Sequence, residues 1–210
     1  MYLPALFRED RLESLHALIR SHPLGLLISH GPSGLLANLL PFVLKSADSA
    51  RGMLQAHMAR ANPQWRELDD QPVLVVFRGA DAYVSPSLYA TKKETGKVVP
   101  TWNYVMVQAR GTAKVRDQIE WLTPQLTALT AGREAARPQP WAVADAPADY
   151  IETQKKHIVG LEIEIAALEG KWKVSQNQPE ANRRSVVAAF STDESTREMA
   201  ELVRTYGKLD

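Results

Sequence analysis

The chain has 210 residues, 45% apolar and 23% charged, enough for one compact domain with helical appendages and a buried core of its own. Its 25 basic and 24 acidic residues leave a formal charge of +1, so no global field recruits a polyanion. The absence of cysteine excludes disulfides, thiolate metal sites and cysteine nucleophiles, and no apolar run approaches the roughly 20 residues that span a bilayer as a helix.

Residues 1–10 do not read as a secretory leader, because Arg8, Glu9 and Asp10 interrupt the apolar positions and no basic start precedes them. A cytoplasmic protein is therefore expected. After Asp10, Leu12, Leu15, Leu18 and Ile19 recur at helical spacing and predict a helix ending near 21–23. Residues 24–30 form a short apolar run, Gly31-Pro32-Ser33-Gly34 reads as a hairpin turn, and 35–44 as the return strand. A third strand is expected over 52–61, followed by a short helix capped by Asn62 with Pro63 at its first position. Residues 72–77 and 82–85 read as strands joined by a turn at 79–81. A lysine-bearing loop covers 86–99, and 101–116 reads as one long strand with Gly111 as a bulge or bend.

The second half is more helical. Asp117 with Glu120 suggests a capped helix carrying Ile119, Leu122, Leu126 and Leu129 on one face, kinked or restarted at Pro124. A Pro/Ala-rich connector over 137–147 leads to a helix at 147–156. Leu161, Ile163 and Ile165 alternate with Glu162 and Glu164 in a last strand over 158–174. The tail from 179 reads as two helices broken around 191–193. Short strands with hairpin-type connections predict an antiparallel β-barrel of six or seven strands, not a βαβ fold.

No phosphate-binding glycine loop, zinc-protease motif or nucleophile elbow is present, and the five histidines lack metal-site spacing. Three polar, aromatic-containing stretches remain. His57–Pro63 ends a strand and enters a helix, a natural anion position when an arginine is near, though a plain capped turn has the same residues. Lys92–Tyr104 sets lysines and threonines beside an aromatic pair, which suits a phosphate next to a flat ring or, equally, a solvated loop feeding a strand. Gly170–Asn177 closes the last strand.

Together these stretches resemble the PaiB family of FMN-binding transcriptional regulators, a branch of the pyridoxamine-phosphate-oxidase-like flavoproteins. The resemblance runs through Met1-Tyr2-Leu3-Pro4, Phe7-Arg8-Glu9-Asp10, Ala37-Asn38-Leu39-Leu40-Pro41, His57–Pro63, Tyr83-Val84-Ser85-Pro86, Glu94–Tyr104, Arg137-Pro138-Gln139-Pro140-Trp141 and Gly170–Asn177. It departs at Leu88 and Ala90, where the family usually has Trp and Pro, and near Arg133, where it has a His. The resemblance implies a mainly β protein with flanking helices, an antiparallel split β-barrel over 1–178, and a helical tail over 179–210. It also implies a homodimer with FMN sites built from both chains. Asn38 and Leu39 would run beside the flavin ring. His57, Arg60 and Asn62 would face the ribityl phosphate, Lys97, Thr101, Trp102 and Asn103 would complete the contacts, and Trp172 and Gln176 would close the site.

Three functions compete. A repressor role follows from the resemblance, with DNA as a partner by resemblance only, since the chain has no basic recognition helix and almost no net charge. The others are an FMN-dependent oxidoreductase or flavin reductase, whose catalytic residues the sequence does not identify, and a binding module with a vestigial flavin pocket.

Overall fold

The computed structural model describes residues 1–209. In chain order the strands are β1 (Arg8–Glu9), β2 (Leu24–Gly31), β3 (Gly34–Pro41), β4 (Val43–Lys45), β5 (Met53–Ala59), β6 (Pro72–Val84), β7 (Thr101–Arg116) and β8 (Ile158–Lys173). The helices are α1 (Leu12–Ser21), α2 (Lys92–Thr95), α3 (Ile119–Glu134), α4 (Ala148–Lys155), α5 (Glu180–Phe190) and α6 (Arg197–Tyr206). The strands hydrogen-bond in the order β3-β2-β6-β7-β8-β5-β4, with β1 added to β8. β3 and β5 approach one another without pairing, so the sheet curls but its seam stays open. The protein is a mainly antiparallel split barrel with flanking helices.

The chain forms two compact units, and the long strands β6, β7 and β8 contribute residues to each. The barrel unit comprises 16–77 and 108–168, and the terminal unit comprises 1–15, 78–107 and the chain from 169 onward.

In the barrel unit the hairpin forms as its residues dictate. Gly34 takes φ +85°, a conformation that costs glycine little, and the register runs from Gly31↔Gly34 to Leu24↔Pro41. The return strand expected over 35–44 is broken at Phe42. The Phe42 N–H donates to the Pro23 carbonyl (2.8 Å), and its ring turns inward to meet Phe77 edge-on at 5.6 Å. The break lets one stretch serve two partners: β3 pairs with β2 and β4 pairs with β5. Leu27, Leu54, Ala56, Val75, Phe77, Ala109 and Ile163 are fully buried, and alternation along β5 and β8 supplies much of that list. Each large aliphatic side chain among them contributes about 1.5–3 kcal/mol on burial.

Three local expectations are corrected. The turn expected at 79–81 does not form, because β6 runs unbroken through it. The buried positions shift from odd (73, 75, 77) to even (82, 84) across the glycine-containing stretch. Asp117 does not cap α3: Gln118 occupies the cap position with no side-chain bond, and the Asp117 carboxylate is taken by the Arg60 guanidinium. Helix α3 does not restart at Pro124 but continues through it, and Pro124 is exposed, so solvent can satisfy the carbonyl whose bond the proline removes.

Gly111 lies in a β7 whose buried positions keep strict alternation, so it marks a close approach and not a bulge. A Cβ there would sit 2.0 Å from the Glu164 carbonyl oxygen of β8.

In the terminal unit, Met199, Ala200 and Val203 line the buried face of α6, and Val186, Val187 and Phe190 that of α5. The Thr91 N–H and hydroxyl both donate to Asn182 Oδ1, and the Ser185 hydroxyl donates to the Leu88 carbonyl, docking the loop after β6 on α5.

Gly111→Ala is expected to lower the denaturant midpoint by roughly 3 kcal/mol of stability, because neither backbone can yield. Gly132→Ala, on α3 with nothing within 4 Å of its added Cβ, should raise stability by roughly 0.5–1 kcal/mol. Equal effects at the two sites would contradict this assignment.

Candidate functional site

The terminal unit gathers cations and aromatic rings at the end of β8. Residues two apart on a strand share a face, so Lys171 and Lys173 lie together, with Trp172 turned to the other side. Lys173 Nζ donates to the Thr101 hydroxyl (2.6 Å) and the Trp102 carbonyl (2.5 Å). Lys171 Nζ donates to the Tyr2 carbonyl (3.1 Å) and lies 5.5 Å and 5.4 Å from the ring centroids of Tyr2 and Tyr104. The bond partners of both ammonium groups are neutral. Burial first, then the charge of Lys171, holds the Lys173 ammonium below the usual lysine range. Beside this pair Trp102, 55% exposed, meets Tyr83, 49% exposed, edge-to-face at 5.8 Å. A desolvated cation pair beside open aromatic faces has the chemistry to hold a phosphate next to a flat ring.

Asn103 is fully buried and exchanges hydrogen bonds with the Ser175 hydroxyl, Nδ2 donating at 2.9 Å and Oδ1 accepting at 3.2 Å. Ser175 takes φ +66° in the turn that ends β8, and Gln176 clasps that turn, accepting from the Val174 N–H (2.7 Å) and donating to the Trp172 carbonyl. The buried Trp172 ring stacks on Tyr206 of α6 at 6.2 Å. The Tyr206 hydroxyl donates to Glu9 Oε2 (2.7 Å), and Arg11 grips both Glu9 oxygens with its guanidinium (2.9 and 2.6 Å). Lys97 is exposed, in the loop before β7.

The remaining expected residues belong to the barrel unit. Asn38 on β3 donates to Gln64 Oε1 (2.9 Å), and Gln64 donates to the Ser29 hydroxyl (2.9 Å). Leu39 is 59% exposed on β3, a strand at the end of the pairing order. His57 Nδ1 meets the buried Gln125 Oε1 of α3 at 2.9 Å. Asn62 caps the short helical turn at Pro63–Glu67, as its sequence position predicts, accepting from the Gln64 N–H. Arg60 donates to the carbonyls of Lys156 (2.9 Å) and Ile158 (3.1 Å) and pairs with Asp117. Hydrogen bonding in that pair raises the pKa of Arg60 and lowers that of Asp117.

Lys171, Lys173, Tyr83 and Tyr104 lie within the stretches that the sequence points to, but none of them was expected as a cofactor contact. The signal was available: K-x-K at the end of an alternating strand places two cations on one face.

The fold is that of a split barrel, and the comparisons place the chain in an FMN-binding family. A family model described as "Putative FMN-binding domain" matches residues 1–167, and the chain belongs to that family. FMN is the cofactor of that family. An uncharacterized protein of Emericella nidulans is 35% identical across the whole chain and 98% of that protein's length. The protein named "Protease synthase and sporulation protein PAI 2" of Bacillus subtilis is 29% identical over 97% of this chain and 96% of its own. Among solved structures, the FAD and heme binding protein of Mycobacterium smegmatis shares the fold with a TM-score of 0.60 at 17% identity, covering 86% of this chain and 79% of that one.

Burial alone would raise the Glu9 pKa, but the bonds from Arg11 and Tyr206 outweigh it and bring it from 4.5 to about 2. A depressed carboxylate pKa stabilises the fold above the unfolded value, and that contribution disappears as pH falls through the folded one. The wild type should therefore lose stability between pH 4.5 and about 2. Glu9→Gln should cost about 1–2 kcal/mol at neutral pH and flatten that acid limb. Parallel acid curves for the two proteins would contradict the assignment.

Proposed function

We propose that this protein binds FMN on the cation–aromatic face of its terminal unit and acts in the cytoplasm, as a homodimer, in regulation of the PaiB type. The observation that carries the reading is Lys173, a half-buried ammonium with neutral partners beside the open ring of Trp102. A phosphate dianion supplies the counter-charge that this ammonium lacks, with Lys171, the Thr101 hydroxyl and Lys97 of the loop before β7 as further donors. Trp102 and Tyr83 offer a wall for the ring. Asn103, Trp172 and Gln176 act from the buried side, fixing the backbone that presents the lysines. Bound FMN would supply one- and two-electron redox chemistry.

Asn38, Leu39, His57, Arg60 and Asn62 form a second candidate contact set in the barrel unit. There Leu39 offers backbone groups to the ring's polar edge and Arg60 offers its guanidinium to phosphate.

The homodimer is supported by β3, which ends the pairing order and exposes Leu35 (76%) and Leu39 (59%). Such an edge is normally covered, and an isologous contact would do so. The regulatory role rests on the PaiB resemblance. With a formal charge of +1, action through another protein or a metabolite suits the chain better than direct DNA contact.

Calorimetric titration with FMN tests the site. Lys173→Ala should weaken binding tenfold to a hundredfold, the worth of hydrogen bonds to a charged group, with the fold intact by circular dichroism. Loss of affinity in Arg60→Ala but not in Lys173→Ala would move the phosphate to the barrel-unit set. Light scattering should give twice the 23.4 kDa chain mass at micromolar concentration, and a monomer would contradict the dimer.

A further inference from the structure

A separate cavity of about 240 Å³ lies within the barrel unit, between the C-terminal turns of α1 and α3 and the strand β4. Its walls include Pro23, Phe42, Leu44 and Leu129, all apolar, and Arg20 and Arg133 stand among its lining residues. Among the described residues no carboxylate lines it. Arg133 donates from one terminal nitrogen to the Arg20 carbonyl (2.9 Å), which ties its guanidinium to the end of α1. The Arg20 side chain has neither an ion pair nor a hydrogen bond among the described residues.

Two guanidinium groups beside an apolar recess, with no acid to neutralise them, are complementary to a ligand with one carboxylate and one compact apolar body. The volume falls below the roughly 300 Å³ of a drug-sized pocket, which restricts the body to a single ring or a short chain. Phe42, held inward by its bond to the Pro23 carbonyl and by contact with Phe77, gives the recess an aromatic wall that does not depend on the ligand.

We propose that this cavity is a binding site for small aryl or short-chain aliphatic carboxylates, distinct from the flavin site. The guanidinium groups of Arg20 and Arg133 engage the carboxylate, and the ring or chain lies against Phe42, Leu44 and Leu129.

Benzoate is the probe, titrated into the full chain and followed by amide chemical shifts and by calorimetry, with and without saturating FMN. Saturable binding with shifts centred on Gly132 and Leu44 is expected, equal in the two flavin states. The doubly substituted Arg20→Ala/Arg133→Ala protein should lose affinity about tenfold or more, with unchanged FMN binding. Ala128→Trp, which fills the recess from α3 while leaving both arginines, should abolish benzoate binding. Neutral benzamide should bind far more weakly than benzoate, and inorganic phosphate should not produce the same shifts. Equal binding of benzamide, equal shifts with phosphate, or full affinity in the double variant would overturn the proposal. Displacement of benzoate by FMN would overturn the claim that the site is distinct.

Discussion

Strand β8 is the constraint on which both the core and the candidate site depend. Its sixteen residues pair with β7 along one edge and, along the other, with β5 through Ile158–Glu164 and with β1 at Gly170 and Lys171. Because successive side chains of a strand point to opposite faces, these pairings fix the direction of every residue on it. The same rule that buries Leu161 and Ile163 puts Lys171 and Lys173 on one side of the strand end and Trp172 on the other. A slip of one residue would turn Trp172 away from Tyr206 and carry Lys171 and Lys173 away from the Tyr104 ring, the Thr101 hydroxyl and the Trp102 carbonyl that they meet. Register and site chemistry are thus specified together.

The polar groups around Arg60 and around Lys173 are satisfied differently, and the difference bears on function. In the barrel unit the arginine on which an anion site was expected meets two carbonyls and a carboxylate, and Glu162 meets Arg116 and Gln55. The bonds from Arg116, Gln55 and Trp121 outweigh the burial of Glu162 and hold it below the usual carboxylate range. In the terminal unit Glu9 is likewise matched by Arg11 and Tyr206, but Lys173 is matched only by a hydroxyl and a carbonyl. A cation hydrogen-bonded to neutral oxygens keeps its charge uncompensated, and an anionic ligand gains the full benefit of arriving there.

Much of this was legible in the sequence. Period-two alternation marked β8, the glycine-flanked Pro-Ser pair marked the first hairpin, and Asn62-Pro63 marked the capped turn. What escaped was decided by tertiary partners. The strand break at Phe42 exists because β3 and β4 pair with different neighbours, and no local signal encodes that choice. Gly79 and Asp81 have turn chemistry, yet flanking pairs keep β6 extended through them. Asp117 is a good cap by composition, but the Arg60 guanidinium wins its carboxylate. Residues chosen for the site by resemblance fall in both units, and the lysines that complete the cation–aromatic face emerged only once alternation on β8 was combined with the identity of its neighbours on β7.

The central claim is that the flavin phosphate is held by the Lys173 ammonium, and the most direct measurement compares FMN with riboflavin, which lacks the phosphate. Both affinities are measured by flavin fluorescence in wild type and in Lys173→Ala. The account predicts that the wild type prefers FMN by about tenfold or more and that this preference collapses in the variant, while riboflavin affinity changes little. An FMN preference that survives the loss of Lys173 intact would contradict it.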